Sequence, residues 1–112
     1  METIKSSTEI SFLFSQGKRY NSSSISLLVY RRNRQHDLNG RVAFIAGKKQ
    51  GNAVWRNKAK RRMRAVSREI EDCFQGYDVV FIAKQATTKV VYSKLLDDSK
   101  KLTNRFMSDC DL

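Results

Sequence analysis

Apolar positions along the chain alternate between two spacings, and these spacings divide it into short elements. Residues 7–16 carry Ile10, Leu13 and Phe14 at helical spacing, with Ser7 or Thr8 suited to the N-cap and Gly17 as a stop. Residues 24–30 alternate, with Ile25, Leu27 and Val29 on one face and Ser24, Ser26, Leu28 and Tyr30 on the other, which predicts a strand. Residues 31–40 read as a charged turn ending in Asn39-Gly40, a hairpin-type signal. Residues 41–46 follow as a second strand, with Val42 and Phe44 opposite Ala43 and Ile45, and the two strands are expected to pair antiparallel. A glycine-bearing link at 47–52 leads into a long helix over 53–74. Residues 77–84 are nearly all apolar, as in a central strand covered on both faces. The β-branched run 87–91 suits a strand extension. Residues 93–107 predict a last helix with Leu95, Leu96, Leu102 and Phe106 as core candidates. The order α-β-β-α-β-α implies an α+β fold, a single-domain α/β sandwich over residues 1–112. Its sheet is expected to be mixed, because the strand after the long helix can return parallel to the strand before it.

The long helix divides by chemistry. At about 100° per residue, Trp55, Ala59, Met63, Val66, Ile70, Cys73 and Phe74 fall in an apolar stripe. The opposite face carries Asn57, Lys60, Arg61, Arg64 and Arg68. Lys60 with Arg64, and Arg64 with Arg68, are like-charged i, i+4 pairs, which repel by a few tenths of a kcal/mol each. Surface helices normally mix signs, so the missing negative charge is expected from outside the chain. Arginine suits phosphate because its planar fork makes two parallel hydrogen bonds and also stacks on bases.

Composition widens this local imbalance to the whole chain. Lys and Arg number 22 against 11 Asp and Glu, a formal net charge of +11. From Leu38 to Arg68 there is no acidic residue, yet Arg41, Lys48, Lys49, Arg56, Lys58, Lys60, Arg61, Arg62, Arg64 and Arg68 all lie there. A polyanion is the expected partner. The 112 residues fit one domain, and 40% of them are apolar, enough for one modest core. Cys73 and Cys110 form no C-x-x-C pair, and His36, the only histidine, sits in the charged turn. No cluster suits metal or acid–base chemistry, so no catalytic residue, metal site or bound cofactor is expected. No secretory segment or apolar run of about 18 residues occurs, which leaves a soluble cytoplasmic protein with no membrane partner as the expectation.

The stretch from Lys48 to Arg64, KKQGNAVWRNKAKRRMR, closely resembles the signature of the bacterial ribonuclease P protein family. That signature is a Lys-Lys pair after a strand, Gly-Asn-Ala-Val, then Arg-Asn-basic-x-Lys-Arg-x-x-Arg on a helix. Phe12-Leu13-Phe14 before Gly17-Lys18-Arg19, and Tyr77-Asp78-Val79-Val80 with Ile82-Ala83, extend the resemblance more loosely over nearly the whole chain. The chain departs from the pattern at Lys58 for Arg, at Ala43 and Gly47 for Gly and Ser, and at Gln85 for Pro. Ile10 stands where an aromatic is common.

The resemblance implies a ribosomal protein S5 domain 2-like sandwich with a left-handed βαβ crossover, against the general right-handed rule. It also implies the protein subunit of a ribonucleoprotein endonuclease that removes the 5′ leader of precursor tRNA. The catalytic RNA subunit performs the hydrolysis and uses Mg2+. The protein is expected to bind that RNA through Lys48, Lys49, Asn52, Arg56, Asn57, Lys58, Lys60, Arg61 and Arg64 of the motif, with Arg68 added from the cationic helix face. A cleft between the first helix and the sheet, with Phe12, Phe14 and Tyr30 as candidates, receives the single-stranded leader. Aromatic rings stack on unpaired bases without demanding a sequence. For Phe12 and Phe14 the alternative is ordinary core packing. Three rival readings share part of the signal: a structural RNA-binding protein such as a ribosomal one, a helix-turn-helix DNA binder, and a protein-only nuclease.

Overall fold

Five strands line up in one sheet in the order β1-β4-β5-β3-β2 in the computed structural model, which describes residues 2–31 and 40–110. The strands are β1 Glu2–Thr3, β2 Lys18–Asn21, β3 Ile25–Arg31, β4 Arg41–Ile45 and β5 Tyr77–Ala83. The helices are α1 Ser7–Gln16, α2 Ala53–Ile70 and α3 Tyr92–Cys110. β5 is buried along nearly its whole length, as its continuous apolar run requires, and takes a neighbour on each side. β4 runs parallel to it, with Val42 opposite Val79 and Phe44 opposite Phe81. β3 runs antiparallel to it, from Ile25 opposite Ala83 to Arg31 opposite Tyr77. The sheet is therefore mixed, and α2 makes the crossover between adjacent parallel strands.

The expected hairpin between β3 and β4 does not form, because β5 lies between them. A nearly all-apolar strand loses most by sitting at an edge, so it displaces the pairing that chain proximity favours. Of the turn expected at its tip over 31–40, residues 32–39, with His36 and Asn39, lie outside the described residues. The antiparallel neighbour of β3 that is adjacent in sequence is β2, with Tyr20 opposite Leu27. Ser22 closes that turn: its amide and hydroxyl both donate to the Ile25 carbonyl, at 3.0 and 2.7 Å. β2 gave no period-two signal because Lys18, Arg19 and Asn21 are exposed and only Tyr20 turns inward. Charged side chains on an outer strand discourage edge-to-edge association.

Helix boundaries shift for local reasons. The N-cap of α1 is Ser6 rather than Ser7 or Thr8, and its side chain accepts from the Glu9 amide at 3.3 Å. Gly17 ends the helix where the chain passes close to the sheet: a Cβ there would lie 2.7 Å from the Leu13 carbonyl oxygen and 3.0 Å from Leu28. α2 stops at Ile70 and tightens into a 3-10 turn, Glu71–Phe74, which turns Cys73 out to solvent instead of into the apolar stripe. The run 87–91, expected to extend a strand, instead starts inside a 3-10 turn, Gln85–Thr88, and continues as irregular chain up to α3. There the buried Thr87 hydroxyl accepts from the Lys84 amide at 2.9 Å and donates to the Ser24 carbonyl.

Helices cover both faces. α1 lies on one, where Leu13 meets Leu28, Ala43, Val80 and Ile82. α2 and α3 lie on the other, where Ala59, Met63, Val66, Leu95, Leu102 and Phe106 pack on Leu27, Val29, Val79 and Phe81.

Candidate nucleic-acid interface

Asn52 starts α2 by accepting the Trp55 amide on its side-chain oxygen at 2.9 Å. Gly51 makes room for this start, because a Cβ there would lie 2.7 Å from the Trp55 ring. Just before it, Lys48 and Lys49 stand exposed on the 3-10 turn Lys48–Gln50. The amino end of a helix carries a partial positive charge, so its first turn usually gathers acids. α2 has none there and brings Arg56 instead, with Lys58 in the next turn.

Beyond that end, Asn57, Arg61, Arg64 and Arg68 are all exposed and line a shallow concavity of about 400 Å³ with Ala65 as part of its floor. Lys58 is exposed, and Arg56 and Lys60 are half-buried. Among the described residues, no ion pair includes Lys48, Lys49 or a basic side chain of α2. The pairs present join Lys18 to Asp109, Arg41 to Glu9 and Asp78, and Lys94 to Asp98. Asn57, Arg61, Arg64 and Arg68 thus face outward, with no acid paired to them among the described residues.

Two arginines in the acid-free stretch behave differently. Arg41 grips the buried Asp78 with Nε and Nη2, at 2.9 and 2.7 Å, and reaches Glu9 on α1 with Nη1 at 2.7 Å. It ties α1 to the sheet. Arg62, next to the exposed Arg61, turns to the other flank of α2. Its Nη1 donates to the carbonyls of Thr87 and Val90, clamping the helix to the segment before α3. Sequence reasoning missed both roles. For Arg62 the available signal was its angular position, seven residues on from Trp55, beside the edge of the apolar stripe and away from the basic row.

The candidate leader residues occupy the α1 face. Phe12 and Phe14 are 48% and 45% exposed, so neither is a core residue, while Leu13 between them is buried. Phe12 meets the half-buried Tyr30 edge to face, with ring centroids 5.2 Å apart and planes at 85°. Phe14 is two residues on, about 200° round the helix. The structure therefore brings Phe12 and Tyr30 together and sets Phe14 on the other flank of α1.

Among the described residues, no group of three or more His, Cys, Asp or Glu side chains could hold a metal ion. No helix among them is long and apolar enough to cross a membrane. α2 follows β4 and a 3-10 turn of three residues, not another helix, so the two-helix unit of a helix-turn-helix reader is missing at this site.

The family model described as ribonuclease P matches residues 1–107. The ribonuclease P protein component of Finegoldia magna is 32% identical over 107 residues, covering 91% of each chain. That of Natranaerobius thermophilus is 33% identical over 105 residues, covering 92% of this chain and 88% of its own. Among solved structures, the Staphylococcus aureus RNase P protein superposes with a TM-score of 0.78 at 20% identity, over 93% of this chain and 94% of that one. The Thermotoga maritima RNase P protein gives 0.78 at 22% identity, over 94% and 97%. At such identities the superpositions establish the fold.

Proposed function

The chain belongs to the ribonuclease P protein family, and from that premise we propose that it is the protein subunit of ribonuclease P, binding the catalytic RNA and the 5′ leader of precursor tRNA. Hydrolysis belongs to the RNA subunit with its Mg2+. The protein's own residues supply positive charge, position the RNA and hold the leader.

One observation carries this reading: the exposed cationic side of α2 has no compensating acid among the described residues. Arg61, Arg64 and Arg68 neutralise backbone phosphates there, aided by Lys48, Lys49, Arg56, Lys58 and Lys60. Counterions released from the RNA make such binding strongly salt-dependent. Asn57 adds a neutral donor and acceptor for a sugar or base edge. Asn52 contributes mainly by starting the helix, since its oxygen already accepts the Trp55 amide. Phosphate contacts set position without selecting a sequence. On the α1 face, Phe12 with Tyr30 on one flank and Phe14 on the other offer stacking surfaces to unpaired bases, which suits leaders of arbitrary sequence.

The test is reconstitution with an in vitro transcribed catalytic RNA of ribonuclease P and a precursor tRNA at low Mg2+. The chain should stimulate release of the 5′ leader. Failure to stimulate at concentrations that saturate the RNA removes the assignment.

A further inference from the structure

Arg64 has a partner unlike that of any other arginine on the cationic face. Its guanidinium carbon lies over the Phe44 ring, 5.6 Å from the centroid. Among the described residues it makes no ion pair or hydrogen bond. Phe44 is itself held firmly. It stacks on Phe81, with centroids 5.4 Å apart and planes at 24°, and the two are register partners on adjacent parallel strands. Phe81 is 1% exposed, so the ring stack is anchored in the core.

This contact has a chemical consequence. A free arginine loses rotamer freedom when it grips a phosphate, and that loss weakens binding. A carboxylate neighbour would restrain the side chain beforehand, but would occupy its donors and cancel its charge. An aromatic face attracts the guanidinium through the ring quadrupole while leaving its charge and N–H groups for the RNA. We propose that Phe44 is a positioning residue for RNA binding, holding Arg64 ready to grip the RNA backbone. The proposal rests on the cationic-face reading given above and adds a β4 side chain to that site.

The experiment is a double-mutant cycle on the full chain, with affinity measured against in vitro transcribed catalytic RNA. Circular dichroism would confirm that each variant is folded at the measuring temperature. Phe44→Leu should weaken binding about two- to fivefold, the worth of one partly exposed cation–π contact. Phe44→Tyr, which keeps the ring face, should retain affinity. In an Arg64→Ala background, Phe44→Leu should add no further loss. Equal losses in both backgrounds would make Phe44 a packing residue only and overturn the proposal, as would an unchanged affinity of Phe44→Leu alone. Wild-type affinity and salt dependence for Arg64→Ala would instead remove the cationic-face reading, and this proposal with it. Phe44→Met serves as the ring-deleting variant should the leucine variant fail to fold.

Discussion

Arg61 and Arg62 are adjacent, identical in type and opposite in role. Arg61 is exposed on the cationic row, whereas Arg62 donates to two backbone carbonyls of its own chain. Arg61→Ala should lower the slope of log affinity against log salt by about one while leaving stability within about 0.5 kcal/mol. Arg62→Ala should leave the slope unchanged and cost about 1–3 kcal/mol of stability, because the Thr87 and Val90 carbonyls lose their donor. Salt titrations of RNA binding, paired with urea unfolding, check both. Equal slope losses would place Arg62 in the RNA interface too. A composition count treats the two residues as one kind, and their separation follows from a 100° step around the helix.

Elements explain why the aromatic candidates divide. α1 buries Leu13 against Leu28 and Val80, so its neighbours on either side are turned outward along opposite flanks. Arg41 holds the helix at Glu9, and Gly17 lets its end approach the sheet. The flank bearing Phe12 is backed by Tyr30, while Phe14 stands apart from that pair. Tyr30→Ala and Phe14→Ala therefore test different surfaces. If the leader crosses the Phe12 and Tyr30 flank, Tyr30→Ala should weaken binding of long-leader precursor by about 1–3 kcal/mol and barely change binding of mature tRNA. Equal weakening of both substrates would argue against leader contact on that flank. The same comparison with Phe14→Ala assigns the other flank.

At the scale of the whole molecule, charge is segregated. Among the described residues no acid pairs with the basic side chains of α2, while two of the three acids of α3 are used internally: Asp109 with Lys18 and Tyr20, Asp98 with Ser24 and Lys94. The Ser24 hydroxyl, donating at 2.6 Å, is the main cause that holds the Asp98 carboxyl below its ordinary value. Lys94 adds to it, and burial opposes both. A carboxylate whose folded value is depressed contributes stability above its unfolded value, near pH 4, and loses it as pH falls further. Unfolding free energy should thus decline below about pH 4, and Asp98→Asn should decline less steeply across that range. Chemical denaturation at a series of pH values tests this, and parallel slopes for the two proteins would remove Asp98 as a contributor.

The chain's own order of residues determined the helices, the central strand, the faces of β3 and β4, and the outward cationic row. Each of these follows from spacing within one element, and neighbours a few residues apart suffice to set it. The motif from Lys48 to Arg64 was legible for the same reason. The strand order, the lost β3–β4 pairing and the edge strand β2 were decided only in three dimensions, because they depend on which distant segment competes best for burial beside β5. The inward turn of Arg62, the hold of Arg41 on Asp78 and the seating of Arg64 on Phe44 belong to that second group. Their partners lie on other elements, and contacts between elements exist only once the sheet has brought those elements together.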